Sequence, residues 1–170
     1  MNGTTMNTTA AASRDSMTCP ARYSEKASGK GLHILIVEDH SMSRLCLENL
    51  LQKCGHEVRS FGSAEEGLKL LGTDHFDVLL ADFRLPGMDG LDLIQQAKAV
   101  RPSLRTLLMT GETGWEVYER AHGQGVDGLV KKPIELDELL AFLDRIGRTI
   151  HEDMRKAEKY RAEPSCPDNK

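Results

Sequence analysis

The sequence predicts a doubly wound α/β fold, in which one five-stranded parallel sheet carries helices on both faces. Short apolar runs alternate along the chain with longer amphipathic stretches, which is the pattern of a parallel sheet with crossover helices. The run at 78–81 is apolar throughout, as is typical of a strand that is covered on both faces. Right-handed crossovers make a doubly wound sheet the most economical arrangement of these elements.

The predicted elements alternate strictly. The first strand covers 33–37, and an amphipathic helix follows at 41–54. The segment 56–61 alternates in polarity like a strand exposed on one face, and the helix at 63–71 opens with Ser63 and Glu66, which form a capping box. The other strands are predicted at 77–81, 105–110 and 127–131, and the other helices at 91–100, 114–123 and 134–150.

Composition divides the chain into three parts. Residues 1–31 are rich in Thr, Ala, Ser and Gly and lack apolar periodicity, so we expect them to be disordered. Residues 32–150 form the predicted domain. Residues 151–170 are expected to form a helical extension and a polar tail, which is too short for a helix-turn-helix unit.

The overall composition excludes several classes of protein. The 170 residues are 39% hydrophobic and 28% charged, with a formal net charge of −4, which argues against nucleic-acid binding as the main role. The apolar runs are too short to span a membrane, and no secretory signal is visible, so we expect a cytoplasmic location and no membrane partner. The four cysteines have no metal-ligand spacing, and we expect free thiols.

Polar residues stand where the predicted strands end. Glu38 and Asp39 follow the first strand, Asp82 follows the third, Thr110 ends the fourth, and a lysine pair before Pro133 follows the fifth. In a doubly wound sheet the functional crevice lies beyond the carboxyl ends of the strands. Any one of these residues is readily explained as a cap, a turn or a surface charge, but all of them occur at the same edge.

This combination of side chains suits phosphoryl transfer. Clustered carboxylates need a cation to remain ionised together, and oxygen ligands with waters suit Mg²⁺. A carboxylate also acts as a nucleophile that forms an aspartyl phosphate. A metal, a lysine and a hydroxyl donor would stabilise the charge on the transferring group.

The same residues give a resemblance to a known family. Glu38 and Asp39 in "IVEDH", Asp82 in "LLADFRLPGMDG", Thr110 in "LLMTG" and the lysine in "VKKP" resemble the receiver domain of bacterial two-component response regulators, over roughly residues 32–150. The resemblance implies a flavodoxin-like sheet of order 2-1-3-4-5. It also implies that the domain accepts a phosphoryl group from a sensor histidine kinase or a phosphotransfer protein.

The resemblance also implies a role for each site residue. Asp82 would be the phosphoacceptor. Mg²⁺ would be bound by Asp39 and Asp82 directly, by Glu38 through water, and by the backbone carbonyl of Arg84. Thr110 and Lys132 would hold the phosphate oxygens, and Lys132 is chosen over Lys131 because the family motif places the lysine directly before proline.

Three further features are specific to this sequence. The family usually has Tyr or Phe three residues before the lysine, and Leu129 stands there, so we expect a readout without a swinging aromatic ring. Arg84 and Glu112 flank the expected route of the attacking water, and we expect them to pair and to tune the phosphoryl lifetime. We also expect a cis peptide bond between Lys132 and Pro133.

Other classes of function fit the sequence less well or stay open. A haloacid-dehalogenase-type phosphatase needs a second Asp two residues after the nucleophile, where this chain has Arg84. A dinucleotide-binding domain needs a glycine fingerprint after the first strand, which is absent. A module that binds proteins without phosphorylation stays open. The sequence thus predicts a stand-alone receiver that catalyses only its own phosphorylation and dephosphorylation, with an unknown downstream protein, a possible homodimer and no nucleic acid as partners.

Overall fold

A computed structural model describes residues 31–112 and 114–162 of the chain. Almost all of the segment expected to be disordered, residues 1–30, and the polar tail at 163–170 lie outside the described residues. Within the described part, the predicted alternation of strands and helices is confirmed.

Five parallel strands form one sheet in the order β2-β1-β3-β4-β5, as predicted. Their bounds are β1 His33–Val37, β2 Glu57–Phe61, β3 Val78–Asp82, β4 Arg105–Thr110 and β5 Gly128–Lys131. The strand β3 is buried along its whole length because it lies in the middle of the sheet and is covered on both faces.

Five helices connect or follow the strands. Their bounds are α1 Ser41–Lys53, α2 Ala64–Leu71, α3 Gly90–Val100, α4 Trp115–Gly123 and α5 Leu136–Ala162. The predicted capping box opens α2: the Ser63 hydroxyl accepts a hydrogen bond from the Glu66 amide at 3.3 Å. The last helix continues well past residue 150, where the predicted domain ends.

Each face of the sheet carries its own apolar core, because neighbouring strand residues point to opposite sides. On one face Ile34 and Ile36 of β1 pack with side chains from α1 and α5. On the other face Leu35 and Val37 pack with side chains from α2, α3 and α4. The two cores fix the strands on both sides, so the strand ends form a rigid edge.

A close backbone contact positions α3 beneath the end of β3. A Cβ atom built on Gly90 would lie 2.1 Å from the backbone oxygen of Asp82, so only glycine fits there. The Gly90 amide also donates to the backbone oxygen of Phe83 at 2.9 Å. The start of α3 is therefore held against the residue that ends the central strand.

The cysteines and the apolar character of the helices can also be compared with the expectations from the sequence. Cys46 is a free thiol, but Cys54 is disulfide-bonded, so the expectation of free thiols is wrong for Cys54. In the part of the chain that the structure describes, no helix combines the length and the apolar character needed to cross a bilayer.

Candidate functional site

Glu38, Asp39 and Asp82 form an acidic cluster at the carboxyl-terminal edge of the sheet. Their carboxylate oxygens, one from each residue, lie within 4.8 Å of one another. Glu38 and Asp82 are buried, whereas Asp39 is exposed. They meet because β1 and β3 are adjacent parallel strands, with Val37 in register with Ala81, and both strands end at this edge.

The backbone around Glu38 is held in place from two sides. The Glu38 amide donates to the backbone oxygen of Phe61 at 3.1 Å. The Arg44 guanidinium donates to the backbone oxygens of Glu38 at 2.6 Å and of Asp39 at 3.3 Å. Sequence reasoning missed Arg44, because a surface arginine in the first helix gives no signal that it binds main-chain oxygens of the preceding loop.

Lys132 joins the acidic cluster from the other side. Its ammonium lies 2.7 Å from Glu38 Oε2 and 2.8 Å from Asp82 Oδ2. The Lys132 amide donates to the backbone oxygen of Thr110 at 2.7 Å, and the Lys132–Pro133 peptide bond is cis, as predicted. Lys131, one residue earlier, is exposed, so the choice between the two lysines agrees with the geometry.

Burial and charge oppose each other in this cluster. Burial, aided by repulsion from Asp82, raises the pKa of the Glu38 carboxyl above its usual value, although the Lys132 ammonium acts in the opposite direction. For Lys132, burial disfavours the charged form, but its hydrogen bonds to Asp82 and Glu38 outweigh burial and raise its pKa. The Lys132 ammonium thus reduces, without cancelling, the effect of burial on Glu38.

Thr110 stands at the end of β4, next to Met109, which is in register with Asp82. The Thr110 side chain is buried, and its hydroxyl oxygen accepts a hydrogen bond from the Glu112 amide at 3.0 Å. The hydroxyl hydrogen is therefore available to donate to another acceptor.

An ion pair spans the mouth of the site, as predicted. The Arg84 guanidinium lies 2.6 Å from Glu112 Oε1 through Nη2 and 2.8 Å through Nε. The pair links the loop after β3 to the loop after β4. Both side chains are partly or largely exposed to solvent, so it closes the mouth only by a surface contact.

Comparison with known proteins identifies the family. The profile of the response regulator receiver domain matches residues 34–144 of this chain. The chain belongs to the receiver domain family. Receiver domains serve bacterial two-component systems, in which they interact with histidine kinases or phosphotransfer proteins and bind Mg²⁺ at an acidic pocket.

Curated relatives and solved structures agree with this assignment. The chain is 40% identical over 110 residues to the "DNA-binding transcriptional regulator NtrC" of Klebsiella pneumoniae, covering 65% of this chain and 24% of the relative. It is 34% identical over 117 residues to the "Two-component response regulator PhoP" of Pseudomonas aeruginosa, and this match covers 69% of this chain and 52% of that relative. A CheY-like receiver domain protein from Methanospirillum hungatei superposes with a TM-score of 0.62 at 28% identity, covering 76% of this chain and 98% of that one.

The chain therefore spans about a quarter to a half of the length of these curated relatives. One of them is named as a DNA-binding protein. The expectation that this receiver protein has no nucleic-acid partner accordingly stays a prediction.

Two features of this receiver lie beside the site. Leu129, at the position of the usual aromatic residue, is partly buried and packs against the core on the α2–α4 face. Asp89 caps α3 through the Asp92 amide and also pairs with Arg120 of α4 at 2.9 Å. Sequence reasoning missed the Asp89–Arg120 pair, since 31 residues separate its members and no local pattern connects them.

Proposed function

We propose that Asp82 is the phosphoacceptor of this receiver domain and takes a phosphoryl group from a phosphohistidine. A single observation carries the proposal: the buried Asp82 carboxylate lies between the Lys132 ammonium and two further acids at the carboxyl-terminal edge of the sheet. A strand-tip carboxylate can act as a nucleophile, and the Lys132 ammonium beside it would stabilise the charge of the transferred group.

In this reaction an Asp82 oxygen attacks the phosphorus atom and the phosphorus–nitrogen bond to the donor imidazole breaks. The product is an acyl phosphate on Asp82, and the imidazole leaves with the bonding electron pair. Lys132 is placed to balance charge on the transferred oxygens. Thr110 has a hydroxyl hydrogen that can bind a phosphoryl oxygen while its own oxygen keeps the Glu112 amide.

The donor set fits a hard divalent cation, and we propose Mg²⁺ as the cofactor. Asp39 and Asp82 are the proposed direct ligands, together with the backbone carbonyl of Arg84. Glu38 is proposed to act through water, because its two oxygens already accept from the His40 amide and from Lys132. Such an ion would add positive charge beside the buried and mutually repelling carboxylates of Glu38 and Asp82.

We further propose that the protein catalyses only its own phosphorylation and dephosphorylation. A phosphatase of the haloacid-dehalogenase type would need an acid two residues after the nucleophile. Arg84 stands there, and its guanidinium is engaged by Glu112. A protein-binding module that works without phosphorylation is the remaining alternative.

The remaining proposals concern the whole protein. Residues 32–150 would act as the receiver unit, with 151–170 as an extension. The partners would be a sensor histidine kinase or phosphotransfer protein, a downstream protein and, optionally, a second copy of the chain, in the cytoplasm.

Intact-mass measurement after incubation with acetyl phosphate and Mg²⁺ tests the proposed function. The wild-type protein is expected to gain one phosphoryl group, and Asp82→Asn to gain none. Asp92→Asn, an exposed acid in the first turn of α3, is the matched control and keeps the gain. Asp39→Ala is expected to lose labelling through loss of the metal. Wild-type labelling of Asp82→Asn would overturn the assignment, and an unlabelled wild-type protein would favour the module that needs no phosphorylation.

A further inference from the structure

A cleft rich in histidine lies at the amino-terminal edge of the sheet, opposite the acidic cluster. It occupies about 630 Å³. Three of the six histidines of the chain line it, together with two acids. These residues are His33, His56, Glu57, Asp74 and His75.

Backbone pairing fixes this edge of the sheet. His33 begins β1 and is in register with Glu57, which begins β2, so their side chains leave the sheet on the same face. On the other side of β1, the His33 amide donates to Asp77 Oδ2 at 2.8 Å, and the Asp77 amide donates to the His33 backbone oxygen at 2.8 Å. Three neighbouring chain segments are thus locked together where the cleft begins.

The side chains show a pattern that is common around metal ions. His33 Nδ1 lies 3.5 Å from Glu57 Oε2, which is close to the edge of a coordination tetrahedron, about 3.3 Å for bonds of 2.0–2.1 Å. His75 Nε2 faces Asp77 Oδ1 at 3.3 Å, which leaves its Nδ1 as the ligand atom. The two imidazole rings lie with their centroids 6.2 Å apart.

We propose that this cleft binds a transition-metal ion of the Zn²⁺ type through His33, His75 and Glu57, with Asp77 orienting His75. Two nitrogens and one carboxylate oxygen are a donor set that suits Zn²⁺, Ni²⁺ or Cu²⁺ and does not suit Mg²⁺. The site is therefore distinct from the all-oxygen cluster at the opposite edge. Three protein ligands leave one position for water or another ligand.

Side-chain rotations are needed to complete the site, because among the described residues only the acidic cluster at the opposite edge has three ligand atoms within 4.8 Å of one another. In this structure the groups are paired two by two, His33 with Glu57 and His75 with Asp77. The side chains of the three ligands are 45%, 77% and 67% exposed for His33, Glu57 and His75. They can therefore turn toward a common ion without moving the core.

His56 forms a wall of the cleft and is not a ligand. Its Nδ1 accepts a hydrogen bond from the Leu32 amide at 3.2 Å, so Nε2 carries the proton in the neutral ring. Burial also lowers the pKa of His56. The neutral imidazole of His56, held by its hydrogen bond to the Leu32 amide, narrows the cleft without adding charge.

Zn²⁺ titration against a chromophoric chelator tests the proposal. The full chain, stripped of metal with EDTA, is titrated in excess Mg²⁺. We expect one bound Zn²⁺ per chain in the wild-type protein. His33→Ala and His75→Ala are each expected to weaken binding at least about tenfold. His122→Ala, an exposed histidine on α4, is the control and binds as the wild type does.

The Asp39→Ala variant separates this site from the acidic cluster and is expected to bind Zn²⁺ unchanged. Circular dichroism of every variant shows whether the fold is intact. Replacing Zn²⁺ by Co²⁺ gives a second readout, since visible absorption bands report nitrogen ligation and are lost in both histidine variants. The proposal is overturned if the wild-type protein binds no Zn²⁺ in excess Mg²⁺, or if folded His33→Ala and His75→Ala bind it with wild-type affinity.

Discussion

Replacing Lys132 by Met is expected to destabilise the domain strongly when no divalent cation is present. The Lys132 ammonium contacts Glu38 at 2.7 Å and Asp82 at 2.8 Å, and both carboxylates are buried. Removing one partner of a buried ion pair costs about 3–5 kcal/mol. The Lys132 side chain is 29% exposed, so we take the lower end, about 3 kcal/mol. For a chain of this length that lowers Tm by about 6–12 °C.

The pH dependence of the loss follows from Glu38. Its pKa is raised in the folded protein, first by burial and then by Asp82, so the folded state binds this proton more tightly than the unfolded state does. Stability from this group is therefore present at low pH and is lost as the pH rises through the raised pKa. Without Lys132 the pKa of Glu38 rises further. The deficit of Lys132→Met is then expected to shrink as the solution is acidified from neutral pH toward the ordinary carboxyl range.

Urea unfolding followed by circular dichroism in EDTA measures the loss. Lys131→Met is the matched control, because Lys131 is the exposed residue directly before Lys132, at the end of β5, and we expect it to change stability by less than about 0.5 kcal/mol. Added Mg²⁺ is expected to recover much of the Lys132→Met deficit, since it replaces the missing charge. If Lys132→Met is no less stable than Lys131→Met in EDTA, the electrostatic account of this site is wrong.

Three other predictions concern the mouth of the site, the base of the sheet and the loop after β4. Arg84→Ala and Glu112→Ala are each expected to shorten the phosphoryl half-life about two- to fivefold, because either removes the ion pair across the mouth. Mass spectrometry of the phosphorylated protein over time measures the half-life. Unchanged half-lives in both variants contradict this prediction. Asp127 has a lowered pKa: burial opposes the shift, but the Thr106 amide and the lysine and arginine partners on α3 and β4 outweigh it. The stabilisation by the Asp127 carboxylate is therefore present above its unfolded pKa and is lost as the pH falls below it. Asp127→Asn is expected to cost about 2 kcal/mol of unfolding free energy at neutral pH and less in acid, as measured by urea unfolding. Equal losses at both pH values contradict this pH dependence. Trp115 is 73% exposed at the start of α4, and its fluorescence is expected to change on phosphorylation of the wild-type protein and to stay constant in Asp82→Asn.

The sequence predicted the elements well because most of them carry local signals. The bounds of β1 and β4 agree with the apolar runs at 33–37 and 105–110. The start of α1 at Ser41 also agrees with the prediction, although its N-cap is His40, whose ring accepts from the Ser43 amide at 3.3 Å, and histidine is not a usual capping residue. The final helix runs unbroken to Ala162, although it contains Gly147 and glycine is a poor helix former.

The residues of the candidate site could be predicted from the sequence because parallel strands bring their carboxyl ends to one edge of the sheet. The sequence predicted only some of the contacts between these residues. That one ammonium contacts both Glu38 and Asp82 depends on the path of the chain after β5, which has no local pattern. The binding of main-chain oxygens by Arg44 depends on the same kind of tertiary placement.

The glycines around the site divide it into a part that tolerates substitution and a part that does not. A Cβ on Gly90 collides with the backbone of Asp82, whereas a Cβ on Gly111 or Gly114 meets no heavy atom within 4 Å. Larger side chains are therefore excluded beside Asp82 but fit at Gly111 and Gly114. Side chains at Gly111 and Gly114 can therefore vary over generations while Asp82 keeps its geometry. The same asymmetry offers engineers two positions for reporter side chains that do not disturb Asp82.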